Sequence, residues 1–130
     1  HEDEDFTPRA FALAQTFMAL KVDWYERRLH AGSITTTANK DVQQQKIRDM
    51  VRALRHLDAL AQTSSELRSC MQYKLDYLAV DTLRLLLRQH HSWAFRREIV
   101  KDLTAMGYFP LRWHREWKHV FFNIYTRLVL

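Results

Sequence analysis

From Lys40 onward, apolar residues recur with the 3.6-residue period of an α-helix, and this constrains the fold more than any other feature. Ile47, Met50, Val51, Leu54, Leu57, Leu60 and Ala61 form one stripe. Gln62-Thr63-Ser64-Ser65 interrupts it, and Thr63 with Glu66 has the spacing of a capping box. A second helix is expected from about Ser65 to Gln89. Its later part, Tyr77 to Val80 and Leu83 to Leu87, is apolar on several sides, as in the most buried helix of a bundle. Ser92 is placed to cap a third helix carrying Phe95, Ile99, Leu103 and Met106, with Gly107 and Pro110 ending it. A fourth, from about Leu111 to Leu128, sets Trp113, Trp117, Val120, Phe121, Ile124 and Leu128 on one side. The chain has two Gly and two Pro in 130 residues, too few for a loop-rich β-sandwich. Its length suits one domain.

The first forty residues read differently. Thr7 is a good N-cap and Pro8 falls at the first helical position, where its missing N–H costs nothing. Phe6 and Phe11 have the spacing of a hydrophobic staple, so a short helix is expected from Pro8 to Gln15. Met18, Leu20, Val22 and Trp24 then alternate with Ala19, Lys21 and Asp23, the period of a half-buried strand. Tyr25 to His30 continues as a second short strand, and Ala31-Gly32-Ser33 is a turn. The expected fold is therefore mainly α, with a short β segment at about 16–30 followed by a four-helix C-terminal bundle. Two strands do not make a stable sheet alone. Pairing between chains through residues 16–30 is expected, giving a homo-oligomer.

Charge is unevenly placed. Four of the fifteen acids fall in His1-Glu2-Asp3-Glu4-Asp5, so the remainder sets twenty bases against eleven acids. A basic body favours anionic partners, and composition alone does not choose among nucleic acid, phospholipid and phosphorylated substrate. The basic residues are scattered over several helices without a helix-turn-helix signature, so nucleic acid is not the expected partner. The last helix, with its aromatics and Arg112, Arg115, Lys118 and Arg127, is suited either to peripheral membrane contact through residues 111–130 or to core packing. No apolar run approaches the roughly 20 residues needed to span a bilayer.

Metal and nucleophile chemistry find little support. His114 and His119 are five apart, His90 and His91 adjacent residues expected to point apart on a helix, and no paired-Cys spacing exists, so no metal site is assigned. Cys70, mid-helix among apolar neighbours, reads as a buried thiol. Ser33 lacks the flanking pattern of a hydrolase nucleophile. Two runs remain. The acidic one offers a carboxylate at a helix entrance, able to take a proton from a hydroxyl. The other, Arg28-Leu29-His30-Ala31-Gly32-Ser33-Ile34-Thr35-Thr36, puts basic groups beside a hydroxyl-rich turn suited to an anion.

These two runs together, His1 to Arg9 and Tyr25 to Thr36, resemble the C-terminal part of bacterial family 2 glycosyltransferases of the GT-A fold, which build exopolysaccharides, capsules and wall teichoic acid decorations. The similarity covers residues 1–37. Residues 38–130 resemble, more weakly, the helical tail that follows the catalytic domain. The resemblance implies that Asp3 is the base that deprotonates the acceptor hydroxyl, with Glu2 and His1 shaping its pocket. It implies that Arg28, His30, Ser33 and Thr35 hold the donor diphosphate. It also implies a nucleotide-sugar donor, a polysaccharide or lipid-linked acceptor, and transfer with inversion.

Two domains are expected on this basis: 1–37 as the end of a GT-A catalytic domain, and 38–130 as a helical C-terminal region. The nucleotide-binding half, with its Asp-x-Asp metal motif, would precede His1, and the lack of an initiator Met fits a segment of a longer chain. The longer parent would use Mg2+ or Mn2+. This chain by itself is expected to hold no metal and to transfer no sugar. The resemblance points to a cytoplasmic location, with peripheral contact at the inner face of the membrane. The competing reading is a non-enzymatic helical module docking to an acidic membrane surface or to nucleic acid.

Overall fold

A computed structural model describes residues 2–22, 39–111, 123, 124 and 127. Among these residues the chain is mainly α and contains four helices and no strand: α1 (Glu2–Leu13), α2 (Lys40–Ala61), α3 (Ser65–Arg88) and α4 (Trp93–Ala105). The long periodic stretches fold as their period dictates. Of the expected fourth long helix, residues 111, 123, 124 and 127 are described; Leu111 is not helical and the other three are. The fourth described member of the assembly is instead α1.

Each long helix begins at a side-chain cap. Asn39 Oδ1 accepts from the backbone N–H of Asp41 at 2.9 Å and of Val42 at 3.4 Å. Ser64 Oγ accepts from Leu67 N–H at 3.1 Å, and Ser92 Oγ from Phe95 N–H at 3.3 Å. These bonds satisfy donors that a helix start leaves unpaired. The cap of α3 is therefore Ser64, one residue after the Thr63 expected from capping-box spacing. Thr63 instead donates its hydroxyl to Leu60 O at 2.7 Å and finishes α2. At the end of α4, Tyr108 N–H donates to Leu103 O at 2.8 Å and Gly107 N–H to Thr104 O at 3.0 Å. This is a Schellman ending, and Gly107 supplies the required left-handed backbone at φ +78°.

The stripe of α2 faces the same way along the helix: Ile47, Met50, Val51, Leu54, Leu57 and Ala61 are all buried. Met71, Leu75, Leu78, Ala79, Leu83 and Leu86 of α3 pack against it, and Phe95, Ile99 and Leu103 of α4 complete the core. α2 and α3 contribute equally, so α3 is not the more buried of the two, and Tyr77 on its outer side is exposed. At the surface, α4 is joined to α2 by Arg48–Glu98 at 3.2 Å and Arg55–Asp102 at 3.5 Å. Leu111 closes the core, and its peptide is held by Asn123. Leu111 N–H donates to Asn123 Oδ1 at 2.9 Å, and Asn123 Nδ2 donates to Leu111 O at 3.0 Å.

The N-terminal segment departs from its expected form. α1 starts at Glu2 rather than Pro8, and Pro8 lies inside it. A proline within a helix removes one hydrogen bond and costs roughly 3 kcal/mol. Against that cost, the acids in the first turn favour the helix N-terminus. Two of them are also bound to side chains of α2 and α3. Phe6 is exposed, and the ring contact of Phe11 is with Phe17, edge-on at 5.6 Å, rather than a staple with Phe6.

The short β segment is absent from its described part. Residues 14–22 form no strand, and Phe17, Met18, Leu20 and Val22 are all exposed. A strand needs a partner for its backbone groups, and among the described residues these have none. The rest of that segment, 23–30, the turn at 31–33 and the proposed boundary at 37/38 lie outside the described residues.

Candidate functional site

The acidic run lies on α1, and the helical period decides what each acid meets. Successive side chains are about 100° apart around a helix. Glu4, Asp5, Pro8 and Ala12 therefore share one face, and these four are the half-buried residues of α1. Asp3, Phe6, Thr7, Arg9, Ala10, Phe11 and Leu13 are exposed. The helix thus turns two carboxylates toward the bundle and its large apolar side chains away from it, the reverse of ordinary amphipathicity.

The inward carboxylates are met by side-chain donors from two different helices. His56 Nδ1 on α2 donates to Asp5 Oδ2 at 3.0 Å, and Arg9 lies 3.7 Å from the same oxygen. Lys74 Nζ on α3 donates to Glu4 Oε2. Asp5 Oδ1 is buried without a hydrogen-bond partner among the described residues. Asp3 stands on the first turn, exposed and one residue before the tied pair. Its location next to a helix N-terminus suits an anionic carboxylate.

Of the remaining expected site residues, Glu2 is described only in its backbone, within α1, and His1 lies outside the described residues. So do Arg28, His30, Ser33 and Thr35, and the two runs are not brought together among the residues described. The residues that organise the acidic turn, His56 and Lys74, were not singled out from sequence. Nothing in their spacing identifies them, because they are fifty-one and seventy residues from their partners.

A second polar cluster was also missed. Asp58 sits near the end of α2 and receives three side chains. Arg68 Nη1 and Tyr108 Oη donate to its Oδ1, the latter at 2.5 Å, and Gln62 Nε2 donates to Oδ2 at 2.6 Å. Burial alone pushes the Asp58 carboxyl up. The hydrogen bonds from Tyr108, Arg68 and Gln62, with the Arg68 charge, outweigh it and hold the group below the usual carboxylate range. Burial first, then the Asp58 bond and charge, push the Tyr108 phenol well above its ordinary value. The Asp58 bond likewise raises Arg68. Both Asp58 oxygens are thus engaged by side chains of the cluster. Its role is to join the end of α2, the start of α3 and the segment after α4.

The His, Cys, Asp and Glu side chains of the described residues bear on metal chemistry. No group of three His, Cys, Asp or Glu converges among them. Glu4 and Asp5 are already held by Lys74 and His56. His90 and His91 follow the end of α3 rather than lying on a helix, and His91 is buried with Nε2 2.7 Å from Gln89 Oε1. Cys70 is exposed, contrary to the buried thiol expected from its apolar neighbours, because the helical turn at Ser69-Cys70 faces away from α2. No described helix is long and apolar enough to cross a membrane.

The comparisons with known proteins gave no match to a protein family, a curated protein or a solved structure.

Proposed function

We propose that this chain is the C-terminal portion of an inverting family 2 glycosyltransferase of the GT-A type, with Asp3 as the acceptor-side base. The observation that carries the reading is the acidic turn. Asp3 is exposed on the first turn of α1 while Glu4 and Asp5 are taken by Lys74 and His56. Of the three acids with described side chains, Asp3 is the one left open to a substrate. The resemblance of residues 1–37 supports the same assignment.

In the proposed reaction, the acceptor hydroxyl oxygen attacks the anomeric carbon of the donor sugar. The bond from that carbon to the diphosphate breaks, and its electron pair leaves with the nucleoside diphosphate. The hydroxyl proton passes to the Asp3 carboxylate, and the configuration inverts. Glu2 and His1 shape the acceptor pocket. Arg28, His30, Ser33 and Thr35 bear on the departing diphosphate, where positive charge and N–H donors stabilise the developing anion. The divalent ion of such enzymes, Mg2+ or Mn2+, belongs to the nucleotide-binding half, and no step involves it through the acids of this chain.

The outward face of α1 and the segment after it carry exposed apolar side chains that both readings use. Phe6, Phe11, Leu13, Phe17, Met18 and Leu20 are each more than half exposed. Exposed apolar side chains in this number, with Phe11 and Phe17 in ring contact, suit an interface. In the proposal it packs on the remainder of the catalytic domain, and in its absence it drives pairing between chains through residues 16–30. The enzyme works at the cytoplasmic side, with residues 111–130 touching the membrane surface. The same exposed apolar surface is what favours the alternative, a helical docking module without chemistry. An assay of nucleoside diphosphate release by the full-length parent, over a panel of nucleotide sugars with glycan and lipid-linked acceptors, separates the two. Release that needs both donor and acceptor is expected from the parent and none from the 130-residue chain. No release from the parent with any donor contradicts the transferase reading, and release by the chain alone contradicts its assignment as an incomplete site.

A further inference from the structure

The acidic turn is held from two sides, and the two holding residues belong to the helical tail. Glu4 and Asp5 are consecutive, so their side chains diverge by about 100° around α1. One reaches Lys74 on α3 and the other reaches His56 on α2. α2 and α3 are themselves locked together by the largest part of the apolar core. Two side-chain donors on a packed pair of helices thus fix both the rotation and the axial position of the first turn of α1. Pro8 sits one turn later and weakens the helix between this turn and Ala12. Ala12 is packed against the core, so α1 has an apolar anchor at its far end and a polar one at the acids.

We propose that His56 and Lys74 are positioning residues for the acidic motif: by clasping Asp5 and Glu4 they set where the Asp3 carboxylate stands. This rests on the reading of Asp3 as the acceptor-side base. It gives the helical tail a defined part in the reaction, since the tail supplies the fixed points for a group in the catalytic domain. A base displaced by about 1 Å loses rate steeply, because proton transfer needs hydrogen-bond distance to the acceptor hydroxyl. Donor binding, made by other residues, does not depend on the clasp.

Both side chains are partly exposed, so their removal spares the core. The test has two arms. In the first, amide hydrogen exchange is followed in the 130-residue chain, comparing wild type with His56→Ala, Lys74→Met and the double variant. Protection of the α1 amides is expected to fall about 3-fold for each single change and about 10-fold for both, with α2–α4 unaltered. In the second, steady-state sugar transfer is measured in the full-length parent. The double variant is expected to lose about 10-fold in kcat with donor KM unchanged within about 2-fold. His56→Asn, which keeps a donor near the Nδ1 position, and Lys74→Arg restore most of the loss. Unchanged exchange of α1 overturns the clasp. Loosened α1 with unchanged kcat overturns the positioning role. Transfer that responds to Asp3→Asn but not to the clasp variants sinks this inference alone, whereas a wild-type parent that transfers no sugar sinks the functional reading beneath it as well.

Discussion

Replacing Tyr108 by Phe removes a single hydroxyl from the polar junction of the fold. Tyr108 is 3 % exposed, and its hydroxyl donates to Asp58 Oδ1 at 2.5 Å. A hydrogen bond to a charged group contributes about 1.5–3 kcal/mol. Asp58 keeps Arg68 on the same oxygen and Gln62 on the other, so the carboxylate is not stranded and the lower half of that range applies. The phenyl ring is preserved, so no cavity is created. The expected loss is about 1.5–2 kcal/mol at neutral pH, or a fall in Tm of about 5–10 °C for a chain of this size. Urea unfolding followed by circular dichroism measures it directly. The pH dependence gives an independent check. The folded phenol is raised above its unfolded value, so its contribution is fully present below pH about 10 and is lost as pH rises beyond that. The gap between wild type and Tyr108→Phe therefore narrows above pH about 10. A variant within about 0.5 kcal/mol of wild type at neutral pH, or a gap that stays constant into alkali, would refute the junction as a stabilising element.

Leu57→Ala, at a fully buried position in the α2 stripe, is expected to cost about 2–5 kcal/mol in the same unfolding assay; a loss under about 1 kcal/mol contradicts the placement of the core. Burial, then the charges of Arg96 and Lys40, hold the His91 imidazole below its ordinary value. Its contribution is present above pH about 6.5 and is lost as pH falls further, so wild type loses more stability between pH 7 and 5 than His91→Gln does, and parallel pH curves contradict this.

The helices after Lys40 were legible because their information is local. Period, cap and stop all lie within a few residues of one another, as with the Ile47-to-Ala61 stripe, Ser92 and Gly107. Thr63 against Ser64 is the scale of error that adjacent hydroxyls produce, since either can cap. α1 was misread because its determinants are distant. Thr7-Pro8 is a good local start, and the ties from Asp5 to His56 and from Glu4 to Lys74, which sequence spacing does not reveal, carry the helix back to Glu2. The segment at 16–22 shows the same limit. Its alternation is real, but a strand is made by a partner, and among the described residues none is present. Cys70 was placed inside because its neighbours are apolar, yet Cys70 sits on the outward face of α3 while Met71 beside it is buried. For the candidate site, the acidic run itself was plain in sequence. Which of its acids is open and which are bound required the helix and its neighbours in space.

The most direct test of the proposed chemistry is Asp3→Asn in the longer parent proposed above, with kcat for sugar transfer and donor Kd measured side by side. The substitution keeps shape and exposure and removes the proton acceptor. The account predicts a fall in kcat of about 100- to 10,000-fold with donor Kd nearly unchanged. Transfer at the wild-type rate, or a loss of donor binding as large as the loss of rate, would contradict the role assigned to Asp3.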